Sequence, residues 1–175
     1  WAFVDHYGPD DIADEPGMQV PPHPHMGLQT VSWLHEGEVL HRDSLGSVQT
    51  IRPRELGLMT SGRAISHAEQ SPRPHARFLH GAQLWVALPD PHRHTAPHFE
   101  HHAELPTVTA AGLTATVILG DLDGSLSPGT TYTPIIGADL ALAADADVRL
   151  PLDPDFEYGV LSMAGEVRVD GVPVL

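Results

Sequence analysis

Glycine or proline interrupts this chain so often that no stretch offers the capped, 3.6-residue apolar periodicity of a stable helix. With 17 prolines and 16 glycines in 175 residues, many short strands joined by turns are favoured instead. Period-two alternation supports that reading. Leu140, Leu142, Ala144, Ala146, Val148, Leu150 and Leu152 share one face, while Asp139, Asp145, Asp147 and Arg149 take the other, with room for a turn near Ala144–Asp145. Leu113–Leu119 and Gln83–Leu88 read as further strands, and Asp10–Glu15 as a loop. The expected class is all-β, and a 41% hydrophobic fraction suffices for a packed core.

Charge and composition exclude several functions. The formal net charge is −14 and the nine basic residues are all arginine, which argues against direct nucleic-acid binding and against docking on an anionic membrane. With no cysteine, disulfides, thiolate metal sites and thiol switches are ruled out. No apolar run is long enough for a spanning helix and no signal-peptide pattern opens the chain, so a soluble, cytoplasmic protein is expected. Trp1 in place of an initiator Met leaves open where the natural chain begins.

The histidines divide the chain. All 13 lie within the first 102 residues, whereas residues 103–175 carry 11 acids, two arginines and no histidine. Two regions are therefore expected, 1–102 and 103–175, with the boundary near Pro97 to Pro106. A faint repeat accompanies this division. Glu36-Gly37-Glu38-Val39 follows Thr30–Leu34, and Ala164-Gly165-Glu166-Val167 follows Tyr158–Met163, each reading as a hairpin.

Two dyads carry the chemistry. His23 and His25 stand at i and i+2 in a proline-stiffened segment, so their side chains point the same way, about 6–7 Å apart along an extended chain. His67 and Glu69 repeat the spacing. On facing strands the two dyads offer three imidazoles and one carboxylate to a single point. That donor set suits Fe(II), Ni, Cu, Mn or Zn rather than Ca or Mg, and leaves coordination positions open on a six-coordinate ion. His92, His94, His98, His101 and His102 read as part of a polar connection between the regions, and His6, His35, His41, His75 and His80 as turn, strand-edge or supporting residues.

Six ordered motifs resemble the pirin family: His23-Pro24-His25-Met26-Gly27, Glu36-Gly37-Glu38, His41-Arg42-Asp43-Ser44-Leu45-Gly46, Met59-Thr60-Ser61-Gly62-Arg63, His67-Ala68-Glu69 and His80-Gly81-Ala82-Gln83-Leu84-Trp85-Val86-Ala87-Leu88-Pro89. The resemblance is strong over residues 1–100 and weaker through Ser127–Gly171. It implies a bicupin of two jelly-roll (double-stranded β-helix) barrels, with one metal in the N-terminal barrel held by His23, His25, His67 and Glu69, usually Fe(II). Two departures stand out. Leu28-Gln29-Thr30 replaces the family's Phe-Glu-Thr, so position 29 supplies no carboxylate, and the chain stops ten residues after Gly165, which makes the second barrel look unfinished. That second barrel is expected to be metal-free, because the positions 14 and 12 before Gly165 are Pro151 and Asp153.

The family includes bacterial members with quercetin 2,3-dioxygenase activity and a eukaryotic nuclear member acting as an iron-dependent transcriptional cofactor. The resemblance thus implies an Fe(II) dioxygenase for a flavonol or other catecholic substrate, with Glu69 as ligand and proton acceptor. Trp33, Met59 and Trp85 are weighed both as walls of an aromatic cavity and as ordinary core. The rival expectation is a non-enzymatic iron-dependent redox sensor or co-regulator that works through a protein partner.

Overall fold

The computed structural model describes residues 1–174, which form sixteen strands and, among the described residues, no helix. Nine strands fill the first 102 residues: β1 (Phe3–Asp11), β2 (Gln19–His25), β3 (Leu28–Glu36), β4 (Val39–Asp43), β5 (Val48–Ile51), β6 (Leu56–Thr60), β7 (Ile65–Gln70), β8 (Phe78–Ala87) and β9 (His98–His102). They make two antiparallel sheets, one in the order β1-β8-β3-β6-β9 and the other in the order β2-β7-β4-β5. The sheets close on a shared interior. Leu34 and Leu79 from the first meet Val39 and Ile51 from the second, with Ile12 completing that cluster.

Strand β3 runs through the middle of the larger sheet and is buried from Gln29 to Leu34, on both faces. Thr30, Ser32 and Leu34 point into the barrel, while Val31 and Trp33 take the opposite face. That opposite face is covered by the second half of the chain: Val31, Trp33, Leu56, Leu58 and Val86 pack against Ile118 and Leu119. A strand buried on both sides needs an unbroken apolar or small-residue run, which Thr30–Leu34 supplies.

The second half contains β10 (Thr107–Ala110), β11 (Leu113–Leu119), β12 (Asp121–Leu122), β13 (Ser125–Leu126), β14 (Gly137–Leu142), β15 (Arg168–Val169) and β16 (Val172–Pro173). Strands β10, β11 and β14 form a three-stranded sheet, and the others form two short hairpins. The expected strand Leu113–Leu119 is β11, and Gln83–Ala87 lies within β8.

Several expectations need correction. The alternating segment continues as a strand only to Leu142; Val148 and Leu150 instead pack beside Leu113, Ala115, Val117 and Leu122 without joining a ladder. Alternation selects a face, but a strand also needs a neighbouring edge to pair with. Residues 158–163 likewise form no strand. The Gly37 turn is not a hairpin, since β3 belongs to one sheet and β4 to the other. Its φ of +83° and a would-be Cβ 2.7 Å from the Phe78 carbonyl oxygen explain why glycine is needed at this crossing. His98, His101 and His102 lie in β9, paired to β6, rather than in a loose connection.

Candidate metal centre

Strands β2 and β7 are antiparallel neighbours, and their register sets His23 directly opposite His67. A register shift between Val20 and His23, where Pro21 and Pro22 stand, interrupts the ladder ahead of the histidines. Proline has no N–H to give a ladder, so the interruption falls where two successive backbone donors are missing. His25 follows two residues on, on the same face. The rings of His23 and His67 are centred 4.5 Å apart, those of His25 and His67 5.0 Å, and those of His23 and His25 4.8 Å. One nitrogen from each falls within 4.8 Å of the others. The three imidazoles thus converge from adjacent strands of one sheet, rather than across the barrel from facing ones.

His67 is 2% exposed, and its Nε2 is buried with no hydrogen-bond partner among the described residues. Burial, reinforced by the neighbouring His41, His23 and His25, pushes its pKa down to about 3. His25 is lowered too, chiefly by burial and then by His23. Both imidazoles are therefore neutral at physiological pH, the form in which a ring nitrogen can bind a cation. A buried, neutral His67 with an unpartnered ring nitrogen, beside the His23 and His25 imidazoles, fits a divalent metal.

Glu69 stands on the same face of β7, but its carboxylate does not fall within the 4.8 Å set of the three histidines. It joins His67 and His41 in a second, overlapping group, all three buried. Strand β4 brings that group together, because its register sets His41 opposite Glu69 and Asp43 opposite His67. Burial pushes the Glu69 pKa up, opposed by a hydrogen bond from Ser32 and by His23. Ser32 Oγ donates to Glu69 Oε1 at 3.1 Å and lies 3.0 Å from the Gln83 side-chain amide. A hydroxyl has one hydrogen, so Glu69 Oε1 and Gln83 Oε1 are alternative acceptors for it. Tyr7 lines the same interior, its hydroxyl held well above the ordinary range by burial and by Glu69.

Trp85 packs edge-on against His25 at 5.2 Å and is itself covered by Phe3 at 4.6 Å, which is 43% exposed. Of the three apolar residues weighed as walls, Trp85 is beside the cluster. Met59 is sealed in the interior, and Trp33 faces the second half of the chain. Gln29 also faces that way, donating to Thr60 Oγ1 and to the Thr130 carbonyl. The remaining histidines have other neighbours. His98 and His102 both meet Glu100, His101 meets Glu55, and His6 meets His80. His41 and Asp43 enter the site without having been singled out as site residues, although they carry the same i, i+2 signature as the two dyads. Ser32, Gln83 and Tyr7 had no local signal.

The comparisons with known proteins agree with this architecture. A family model described as Pirin matches residues 1–86. A Pseudomonas aeruginosa protein provisionally named quercetin 2,3-dioxygenase is 48% identical over 171 residues, 98% of this chain and 54% of its own length. Mouse pirin is 36% identical over 154 residues, covering 85% of this chain and 52% of its own. The chain spans about half the length of these curated relatives. A crystal structure of quercetin 2,3-dioxygenase from Acinetobacter baumannii superposes with a TM-score of 0.96 at 45% identity, covering all of this chain and 58% of that one. Motif order, a two-sheet β-barrel and these likenesses coincide: the chain is a cupin and belongs to the pirin family.

Proposed function

We propose that His23, His25, His67 and Glu69 hold one divalent metal, Fe(II) first and Ni, Cu, Mn or Zn as alternatives, and that the site performs quercetin 2,3-dioxygenase-type chemistry on a flavonol or catechol. The observation that carries this reading is that one ring nitrogen each from His23, His25 and His67 lies within 4.8 Å of the others, with His67 buried and its Nε2 without a hydrogen-bond partner among the described residues. Residues 1–102 act as the metal-holding unit. Residues 103–175, which contain no histidine, cover its outer sheet. When bound, the metal supplies Lewis acidity toward a substrate hydroxyl and, as iron, one-electron chemistry toward dioxygen.

The chain's own groups do the rest. Glu69, as a carboxylate in a buried site, accepts the hydroxyl proton, and Ser32 keeps that carboxylate in place. Trp85, beside His25 and backed by Phe3, offers a flat apolar surface for an aromatic ring. The names carried by the Pseudomonas and Acinetobacter relatives favour this substrate class.

Anaerobic loading with Fe(II), metal analysis per chain and oxygen uptake with and without quercetin test the proposal. One ion per chain, lost in His67→Ala, together with quercetin-dependent oxygen consumption is the expected result. One ion without oxygen uptake would favour the iron-dependent sensor instead. A folded chain that takes up no metal would overturn the site.

A further inference from the structure

A neutral imidazole presents one nitrogen as donor and the other as acceptor, and its neighbours decide which is which. Behind the histidine trio, three side chains in a row admit one consistent assignment. Asp43 Oδ1 accepts the backbone N–H groups of Leu45 at 2.9 Å and Ser47 at 3.0 Å, and Oδ2 lies 3.1 Å from His41 Nε2. An acceptor-only carboxylate must be met there by N–H, so His41 carries its proton on Nε2. His41 is 1% exposed, its ring stacked on Phe99 at 4.1 Å and 11°. Its bare Nδ1 then faces His67 Nδ1 at 3.4 Å. Two lone pairs cannot face each other as a hydrogen bond, so His67 carries its proton on Nδ1. Its lone pair is left on Nε2, the buried atom without a protein partner.

We infer that Asp43 and His41 are positioning residues that lock His67 in the Nδ1–H tautomer and so keep Nε2 open to the metal. This rests on the metal reading above and deepens it, since it names what prepares one ligand before any ion arrives. The register of β4 on β7 makes it possible by standing Asp43 opposite His67 and His41 opposite Glu69. Outer partners of this kind fix ligand tautomer and orientation in metal sites generally, and their loss costs about 10–100-fold in affinity.

Asp43→Asn reverses the row with almost no change in shape. The asparagine oxygen keeps the Leu45 and Ser47 N–H groups, which turns its NH2 toward His41 Nε2. His41 must then be protonated on Nδ1 and donate to His67 Nδ1, moving the His67 proton onto Nε2.

The test is two-bond 1H–15N NMR of the 15N-histidine-labelled, metal-free chain, followed by anaerobic titration with Fe(II) alone. The wild type is expected to show His67 Nδ1–H and His41 Nε2–H, with both reversed in Asp43→Asn and Fe(II) binding weakened about tenfold or more. A wild-type His67 protonated on Nε2, or identical tautomers in the two proteins, would overturn the inference. Should Asp43→Asn not fold, His41→Phe stands in, packing on Phe99 and leaving His67 to populate both tautomers; a single Nδ1–H form there would refute the role of His41. A wild type with the stated tautomers and no Fe(II) uptake would overturn the metal reading and with it the positioning role, and the NMR result would tell that failure from a failure of the relay.

Discussion

Removing the hydroxyl of Ser32 separates the cost of holding Glu69 from the cost of folding the barrel. Glu69 is 7% exposed, and the hydrogen bond it accepts comes from Ser32 Oγ at 3.1 Å. Without metal, burial pushes Glu69 toward its neutral form, where that bond contributes about 0.5–1.5 kcal/mol. With metal bound, the carboxylate is charged, and the same bond contributes about 1.5–3 kcal/mol. Ser32→Ala should therefore cost the unloaded chain about 1 kcal/mol of stability. The difference of about 1–1.5 kcal/mol appears as metal binding weakened about 5- to 13-fold. Urea unfolding of the metal-free chain measures the first quantity, and anaerobic Fe(II) competition against a chromophoric chelator measures the second. A folded Ser32→Ala variant that binds Fe(II) as tightly as the wild type would refute the charged-acceptor role of Glu69.

Three further outcomes are expected. Leu58→Ala, at a fully buried position between the larger sheet and the second half of the chain, should lose about 3–4 kcal/mol in urea unfolding, and a loss under about 1 kcal/mol would mean that interface is loose. Gln29→Glu restores the family's acid but faces away from the histidines, where it would set a carboxylate against the Thr130 carbonyl; it should destabilise by about 2–4 kcal/mol and leave Fe(II) affinity unimproved, and tighter binding would contradict the geometry. His80 is lowered below the ordinary 6.5 by burial and then by His35 and His6, against Glu36 and Asp10, so its unfolded state binds the proton first. Its contribution to stability is complete above pH 6.5 and is lost as pH falls from there through the folded-state value. Denaturant midpoints followed across that range should drop with acid, and less steeply in His80→Phe; equal slopes would remove His80 as the cause.

What could be read from residues alone was whatever is local and periodic. Proline and glycine spacing excluded helices, strand-favouring residue types gave β11, Gln83–Leu88 matched part of β8, alternation gave the end of β14, and two i, i+2 dyads gave the residues whose side chains share a face. The same rule failed where a strand needs a partner. Leu140–Leu152 alternates throughout, yet the ladder ends at Leu142 because nothing pairs beyond it. The Gly37 turn looked like a hairpin because sequence shows that a chain reverses, not which sheet it enters next.

The sequence by itself determined which candidate donors share a face, since His23 with His25 and His67 with Glu69 take their direction from backbone pleat, and pleat is a property of each strand alone. Tertiary structure decided which donors meet and in what state. Only the registers of β2 and β4 on β7 set His23 against His67 and carry His41 and Asp43 to its far side. Only burial against a second sheet strips water from His67, holds it neutral, and makes Ser32 the partner of Glu69. Register and desolvation arise between segments far apart in the chain, so no stretch of residues encodes either on its own.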